Sequence, residues 1–367
     1  MTTQQPKLKR TMGNTHPDAG PESFPAGQAL DHVEQMLIDL GHGQVLRGIG
    51  PFERAASVGP ETWAFYRNDF GLTDPLPWRV PTRLEIVESP LEAAPRTLAL
   101  HWREPAKQEF HEVFADVMQR INTNQWRKVV PAVTARADWS AAHEAMLLDQ
   151  WPELGGEAGT HGYAYRSTDG TGCAGQTPEV LFRVENGVLK TMALAGTMPR
   201  AEAATMLQNP KLQREHELVV EMLRERLNAL GDLEMEPRGL LHLGVMTHLC
   251  TRMSVRLDDP QRLDACDALI RLLHPTPALG IAPRTPETLA QLHEYRQRLG
   301  VPAMFGAPFG LHWPQGMLML VAIRGLFWTR DEVMLPAGVG LVAGSDFESE
   351  WAELELKRSW VRHALHV

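Results

Sequence analysis

The stretch that decides the fold is GVGLVAGSDFESEWAELELK, residues 338–357. Its glycine-containing apolar run predicts the end of a buried strand, and the polar turn at residues 344–346 predicts the start of a helix. The first turns of that helix carry Glu350, Glu353 and Lys357 at positions i, i+3 and i+7, so the three side chains share one face. The helix therefore presents two carboxylates and an ammonium group directly beside a strand end.

On an isolated helix, such a face would be a solvated ladder of salt bridges. Here the strand end places backbone N–H groups beside the carboxylate pair. Hard divalent cations take carboxylate oxygens as ligands, and exposed backbone N–H groups bind anions. The stretch therefore predicts a site that holds a divalent cation together with an anionic ligand.

The composition is that of a globular protein with ample material for a large core. The 367 residues are 43% hydrophobic and 22% charged. The net charge of −9 argues against nucleic-acid binding through a basic surface, so any cations that bind an anionic ligand must be local. The three cysteines fit no metal or redox spacing, and no transmembrane segment or signal peptide is recognisable. We expect a cytoplasmic protein without nucleic-acid or membrane partners, and its oligomeric state is not indicated.

The polar residues 1–28 predict a disordered tail, followed by one domain over residues 29–367. Apolar residues at helical spacing predict a series of helices over residues 29–40, 105–122, 140–151, 210–230, 264–273, 286–298 and from about 347 onward. Alternating or short apolar runs predict strands over residues 83–88, 97–102, 128–136, 163–166, 179–185, 188–195, 317–328 and 332–342. Strand clusters that are separated by helices, several of them joined as hairpins, indicate an α+β fold.

Two residues could perform acid–base chemistry. Lys128 lies in a predicted strand; facing a closed site it would be desolvated and could act as a general base, whereas at a sheet edge it would only reach into solvent. Glu179 begins an apolar strand; against an apolar wall its pKa would rise and it could donate a proton, whereas in an open turn it would be solvated. Together they form the pair that is needed to deprotonate a water and protonate a departing hydroxyl.

Three further features suit an anionic ligand and a metal. Glu215, in the predicted helix 210–230, could be an oxygen ligand of magnesium with Glu353 as its partner. Arg324 interrupts an apolar strand and could clamp a carboxylate, although an internal salt bridge is equally compatible with the sequence. The small residues of ALAGT, residues 193–197, permit close approach of a ligand to the backbone, and they could also form an ordinary turn.

Taken together, these segments resemble the chorismate-utilising enzymes, a family that includes isochorismate, salicylate, anthranilate and aminodeoxychorismate synthases. The matching segments in family order are KVV (128–130), TPEVLF (177–182), ALAGTMPR (193–200), KLQREH (211–216), HLCT (248–251), LHPTPALG (273–280), IR (323–324) and residues 338–357. Residues before about 105 carry no motif, and they are assigned to the same domain by analogy alone.

The resemblance implies a single large chorismate-binding domain like that of anthranilate synthase component I, with two mainly antiparallel sheets that enclose the site and helices outside. It also implies Mg²⁺ as cofactor and chorismate, a dianionic enol-pyruvyl compound, as substrate. By position, Glu215 and Glu353 would hold the magnesium, with Glu350 close by. The substrate-binding residues implied in the same way are Gly196, Thr197, His274, Ala278, Arg324, Gly338 and Lys357.

The resemblance is closest to isochorismate synthase. Members that use water resemble this chain in having lysine at position 128, whereas members that transfer an amine typically have glutamine there. Ala195 stands where aminodeoxychorismate synthases have a nucleophilic lysine. The loop at residues 274–279 looks like that of isochorismate synthases, and salicylate synthases tend to have threonine at the position of Ala278.

The implied reaction is the isomerisation of chorismate to isochorismate by a hydroxymutase-type isomerase. Lys128 would deprotonate a water that attacks carbon 2, and Glu179 would protonate the hydroxyl that leaves carbon 4, with magnesium on the ring carboxylate. The alternatives are salicylate synthase, which also eliminates pyruvate, and a diverged chorismate-binding protein without catalysis. Menaquinone and siderophore biosynthesis are both compatible with the sequence.

Four positions depart from the family pattern. Pro131 and Val133 replace the leucine and arginine that are usual after Lys-Val-Val. Leu212 replaces an acidic residue that some members have beside the metal site. Ile281 stands where the loop normally has a second glycine, and a β-branched side chain there disfavours a positive φ and would narrow the loop.

Overall fold

The computed structural model describes residues 33–41, 44–88, 96–151, 159–258 and 266–367. The predicted tail 1–28 and the first residues of the predicted helix 29–40 lie outside this part of the chain. No helix among the described residues is long and apolar enough to cross a membrane.

The described strands are short, and most of them lie in two large sheets. In chain order they are β1 (Gln35–Gly41), β2 (Gln44–Ile49), β3 (Glu53–Ala55), β4 (Ala64–Arg67), β5 (Trp78–Val80), β6 (Arg83–Glu88), β7 (Lys128–Val129), β8 (Ala132–Asp138), β9 (His161–Arg166), β10 (Gly172–Thr177), β11 (Val180–Glu185), β12 (Val188–Pro199), β13 (Gly231–Met235), β14 (Gly239–Leu243), β15 (Met246–Leu257), β16 (Ile281–Ala282), β17 (Pro308–Trp313), β18 (Gly316–Val321), β19 (Gly325–Trp328) and β20 (Glu332–Gly338).

The helices of the described residues are α1 (Lys107–Asn122), α2 (Ala141–Gln150), α3 (Pro210–Leu227), α4 (Cys266–Leu273), α5 (Pro286–Arg298) and α6 (Phe347–Leu365), together with the 3-10 helix Arg200–Gln208. The two helices that carry the predicted metal ligands have defined starts. The Asn209 side chain accepts hydrogen bonds from the first backbone N–H groups of α3, and Pro210 occupies its first turn. The Asp346 side chain accepts from Ser349 N at the start of α6. These caps fix the positions of Glu215 and Glu353 along their helices.

The strands form one sheet of eight and one of ten strands, and every described strand pair is antiparallel. The eight-stranded sheet has the order β6-β2-β1-β9-β10-β19-β20-β8. The ten-stranded sheet has the order β13-β15-β12-β11-β18-β17-β4-β5-β3, with β14 paired to β15. β7 and β16 form a separate pair. The predicted α+β fold with two antiparallel sheets is confirmed.

The apolar core between the two sheets is built by inward-facing side chains of both. Ile38 and Tyr163 from the eight-stranded sheet pack in one cluster with Phe65, Phe309 and Leu320 from the ten-stranded sheet, and all five are fully buried. Because residues 35–88 supply strands to both sheets, the part of the chain without motifs is integral to this core. Burial of large aromatic side chains is the main favourable contribution to packing two sheets.

Four predicted elements differ from the structure. The strand predicted over residues 128–136 is two strands, β7 and β8, which belong to different sheets. The helix predicted over residues 29–40 is wrong in its described part, because residues 35–41 form β1 at the middle of a sheet. The strand predicted over residues 97–102 is irregular backbone. The strand predicted over residues 317–328 is two strands, β18 and β19, which belong to different sheets.

The chain crosses between the sheets several times, and two of these crossings are adjacent. Residues 178–179 connect β10 of the eight-stranded sheet to β11 of the ten-stranded sheet, and residues 322–324 connect β18 back to β19. The two crossings are hydrogen-bonded to each other, from Val321 N to Glu179 O at 3.1 Å and from Gln176 N to Arg324 O at 3.0 Å. Glu179 and Arg324 are therefore held side by side by backbone contacts.

Candidate active site

A cavity between the sheets and helices α3 and α6 collects most of the predicted site residues. It is bounded by β12 and β15 from the ten-stranded sheet and by β20 from the eight-stranded sheet. The predicted residues that line it are Glu179, Gly196, Thr197, Glu215, Ala278, Arg324, Gly338, Glu353 and Lys357. Lys128, Glu350 and His274 are buried and are not among the residues that line the cavity.

Glu179 is a buried carboxyl group in a setting that favours its protonated form. Burial raises its pKa to about 7, and this rise is opposed by a hydrogen bond from Thr276 and by the charges of Lys128, Lys357 and Arg324. The hydroxyl of Thr276 donates to Glu179 Oε1 at 2.9 Å. A carboxyl group that holds a proton near neutral pH can serve as a general acid.

Lys128 is almost completely buried, with 1% of its surface exposed. It begins β7, which pairs with β16 through the register Ala282↔Lys128. Its ammonium group lies 3.1 Å from Glu215 Oε1. Gly340 provides the space for this pair, because a Cβ atom there would lie 2.2 Å from Glu215 Oε1 and 3.0 Å from Lys128 Cε. The Lys128 side chain is thus shielded from solvent and paired with Glu215, a carboxylate that lines the cavity.

Arg324 is held by a histidine that sequence reasoning left without a role. The backbone of Arg324 has φ +55, the left-handed region that non-glycine residues seldom adopt. Its Nη2 lies 3.2 Å from His248 Nε2, and His248 Nδ1 lies 3.1 Å from Thr197 Oγ1. Burial and the charges of Arg324 and Lys357 hold the pKa of His248 well below its usual value. The ring is therefore neutral, accepting from Arg324 at Nε2 and donating to Thr197 at Nδ1.

Thr197 faces the cavity because of a β-bulge. The register between β12 and β15 shifts between Ala195 and Thr197, and the extra residue is Gly196 with φ +75. Glycine adopts this conformation without strain, and a bulge of this kind redirects the side chain that follows it. Thr197 in turn hydrogen-bonds Glu353. A hydrogen-bonded chain therefore runs from Arg324 through His248 and Thr197 to a predicted metal ligand.

The two carboxylates of α6 differ in protonation. Burial and the neighbouring Glu353 raise the pKa of Glu350 to about 7, against the opposing charge of Lys211. The pKa of Glu353 is lowered: burial alone would raise it, but Lys357, Lys211 and the bond from Thr197 outweigh burial. Each of the three predicted metal ligands also has a lysine partner. The pairs are Lys128–Glu215 at 3.1 Å, Lys211–Glu350 at 2.6 Å and Lys357–Glu353 at 2.6 Å.

The donor set fits a hard divalent cation that keeps open coordination positions. No group of three or more His, Cys, Asp or Glu side chains among the described residues forms a ready cage for a metal. Mg²⁺ usually takes only one or two carboxylates and completes its shell with water and substrate oxygens. Glu215 and Glu353 line one cavity, and Glu350 Oε2 is buried without a hydrogen-bond partner among the described residues. The candidate ligands are all carboxylate oxygens, which suit Mg²⁺ better than a softer metal.

The side chain of His274 is directed away from the cavity. Its Nε2 lies 2.8 Å from Phe70 O, and its ring packs edge-on against the Phe70 ring. Burial, opposed by the Phe70 carbonyl, lowers its pKa to about 4, so the ring is neutral. The substrate-binding role predicted for His274 therefore has no support from the position of its ring, and His274 anchors the loop that bears Thr276.

Two of the departures from the family pattern, Leu212 and Ile281, have simple structural consequences. Leu212 is buried in a small apolar cluster with Met206 and Leu249, so a hydrophobic contact stands where an acidic residue was expected. Ile281 is the first residue of β16, opposite Val129, and is not among the residues with positive φ. The segment that was expected to be a narrowed loop is thus a short strand, which pairs with the strand that bears Lys128.

Comparison with known proteins agrees with this arrangement. The sequence profile of the family described as chorismate binding enzyme matches residues 79–366. The salicylate biosynthesis isochorismate synthase of Pseudomonas aeruginosa is 36% identical over 205 residues, which are 52% of this chain and 41% of that protein. The chain thus spans less than half the length of this relative.

Solved structures extend the similarity of fold to nearly the whole chain. The menaquinone-specific isochorismate synthase of Escherichia coli superposes with a TM-score of 0.70 at 20% identity, over 93% of this chain and 92% of that chain. Anthranilate synthase component I of Streptococcus pneumoniae gives a TM-score of 0.62 at 14% identity, over 96% and 95% of the two chains. At these identities the likeness concerns the fold.

Proposed function

The chain belongs to the chorismate-binding enzyme family, and on that premise we propose that it is an isochorismate synthase, a hydroxymutase-type isomerase that converts chorismate to isochorismate. The observation that carries the proposal is Glu179, a buried carboxyl group whose pKa is raised to about 7 and which faces a cavity lined by Arg324 and Lys357. A proton donor next to fixed cations is what the departure of a hydroxyl from an anionic substrate requires.

In the proposed reaction, Lys128 acts as the base and takes a proton from a water as that water attacks carbon 2 of the ring. Both ring double bonds shift, the bond from carbon 4 to its hydroxyl breaks, and Glu179 gives its proton to the departing oxygen, which leaves as water. Transfer of the proton from Lys128 back to Glu179 restores the starting state. Each acid or base is expected to contribute ~10²–10⁴-fold to the rate.

Arg324, Lys357 and the Gly338 amide are proposed to bind the pyruvyl carboxylate, beside Gly196, Thr197 and Ala278 in the same cavity. Glu215 and Glu353, with Glu350 adjacent, would hold Mg²⁺. When bound there, the ion supplies positive charge opposite the ring carboxylate and so favours loss of the allylic hydroxyl. Arg324 and Lys357 place positive charge in this cavity although the chain has a net charge of −9, which accounts for binding of a dianion by an acidic protein. A cytoplasmic location is part of the proposal.

Incubation of the purified chain with chorismate and Mg²⁺, with products identified by NMR, tests the proposal. We expect isochorismate without pyruvate. Salicylate together with pyruvate would assign the chain to the salicylate synthases instead. Tight chorismate binding without any conversion would indicate a non-catalytic binding protein and contradict the proposal.

A further inference from the structure

We propose that Thr276 is a positioning residue for Glu179, and that its hydroxyl fixes which oxygen of the carboxyl group carries the proton to be donated. This inference rests on the proposed function of Glu179 as the acid that protonates the leaving hydroxyl. Thr276 is not among the residues that line the cavity, so it acts through Glu179 rather than on the substrate.

The geometry of the contact determines the position of the proton. Both residues are buried, and Thr276 Oγ1 donates to Glu179 Oε1 at 2.9 Å. An oxygen that accepts this bond is the carbonyl oxygen of the neutral acid, so the acidic hydrogen resides on Oε2. The Glu179 backbone is fixed separately, because its N–H donates to Thr177 Oγ1 at 3.2 Å and its carbonyl accepts from Val321 N at 3.1 Å. The backbone is thus set by the crossing, and the orientation of the carboxyl plane is set by Thr276.

Thr276 can impose an orientation because its own loop is held rigidly. His274 Nε2 donates to Phe70 O at 2.8 Å on one side of the loop. On the other side, Arg226 Nη1 donates to Leu273 O and Pro275 O, each at 3.2 Å. Because Arg226 binds two carbonyl groups of the loop and the His274 ring is anchored on Phe70 O, the loop has little freedom to follow Glu179. The loop motif is therefore a support for the acid.

The charges around Glu179 determine the sign of the effect on pH dependence. Facing it are Lys128 from β7, Lys357 and Glu353 from α6, Glu215 from α3, His248 from β15 and Arg324 from the second crossing. Among these, the three cations lower the pKa of Glu179, and the hydrogen bond from Thr276 lowers it further. Removing the hydroxyl must therefore raise the pKa of Glu179, and the acid then keeps its proton to a higher pH.

The experiment measures kcat and KM for chorismate from pH 6 to pH 9 in wild type, Thr276→Val and Thr276→Ser. In Thr276→Val we expect kcat to fall by up to ~10²-fold from misorientation of the acid. We also expect the alkaline decline of kcat to move to higher pH, and KM to stay close to the wild-type value. Thr276→Ser retains the hydroxyl and should restore both kcat and the wild-type pH profile.

Thr191→Val is the matched control. The Thr191 hydroxyl is also buried, but it donates to the backbone carbonyl of Leu181 at 2.7 Å and not to the Glu179 carboxyl. This variant should lose stability without any change in the pH profile. If valine is not tolerated at 276, alanine removes the same hydroxyl and carries the same expectations.

An unshifted alkaline decline in Thr276→Val, or an equal loss of kcat in Thr276→Ser, would overturn the positioning role. Failure of the wild-type chain to form isochorismate would instead refute the proposed function, and the inference with it. The two failures are therefore distinguished by the wild-type reaction alone.

Discussion

At the scale of single residues, the site depends on a lysine and a glutamate that are buried, since the same side chains at the surface would be solvated. Lys128 and Glu179 are 1% and 4% exposed, and both are surrounded by charged partners rather than by apolar side chains alone. Burial without such partners would make either group prohibitively costly. Their functional states are thus set by a few named contacts, each of which can be removed by one substitution.

Substitution of either residue should remove turnover and spare binding. Lys128→Ala and Glu179→Gln are each expected to lower kcat by ~10²–10⁴-fold, because each removes one proton transfer. Calorimetric titration with chorismate in the presence of Mg²⁺ should still show binding to Glu179→Gln. In the wild type, kcat should decline as the pH rises through about 7, where Glu179 loses its proton. Near-wild-type turnover by Lys128→Ala would refute its assignment as the base.

At the scale of elements, the segment after β20 is shaped to let two other elements meet. Gly340 lies beside α3 and β7, and it leaves room for Glu215 and Lys128 to touch. This explains a glycine in the middle of an apolar run better than any demand for an unusual backbone, since Gly340 is not among the residues with positive φ.

Gly340→Ala should separate Glu215 from Lys128. The added methyl group would overlap the Glu215 carboxylate, and overpacking of this kind costs roughly 1–3 kcal/mol. We expect a lower melting temperature together with weaker Mg²⁺ binding, measured by calorimetry. Gly239→Ala is the control, because the nearest atom to a Cβ there is Cys250 O at 4.0 Å. Unchanged Mg²⁺ affinity in Gly340→Ala would contradict the predicted role of Glu215 as a metal ligand.

Elements whose apolar residues recur at a clear helical spacing were predictable from the sequence. Elements that depend on pairing with distant parts of the chain were not. Helix α1 was predicted almost to the residue because its apolar positions recur at helical spacing. The run Met36, Leu37 and Ile38 is buried throughout as part of β1, and a short continuous apolar run does not distinguish a strand from a helix. The break between β18 and β19 depends on pairing with strands far away in the sequence.

In the candidate site, too, some residues were predictable from the sequence and others were not. The predicted residues Glu179, Glu215 and Arg324 do line one cavity, and the segments that carry them could be read from motif order. The partners that orient them could not be read in this way, because Thr276 is 97 residues from Glu179 and His248 is 76 residues from Arg324. Their positions within the segments HPTPA and HLCT were the available signal, and contact across the fold was required to interpret it.

At the scale of the whole molecule, buried neutral histidines should make the fold sensitive to acid. Burial is the main cause that lowers the pKa of His216 and of His274 to about 4. A folded-state pKa below the unfolded value of about 6.5 contributes stability that is present above pH 6.5 and is lost as the pH falls toward 4. The loss is up to about 3 kcal/mol for each such histidine.

Urea unfolding between pH 7 and pH 4.5 should therefore show a steep loss of the free energy of unfolding. His274→Asn removes one titrating group and should reduce the slope with pH. His293→Asn changes an exposed histidine of α5 and should leave the slope unchanged. Equal slopes in all three proteins would show that acid sensitivity arises elsewhere.

The paired crossings have a consequence for how the molecule accommodates its ligand. The proton donor Glu179 and the carboxylate-binding Arg324 lie on two neighbouring segments that connect the two sheets. Two backbone hydrogen bonds join these segments. A small shift of one sheet relative to the other would move Glu179 and Arg324 together. The distance between them would stay constant while the other sides of the cavity moved. The cavity can therefore change shape around a bound molecule while the distance between Glu179 and Arg324 stays the same.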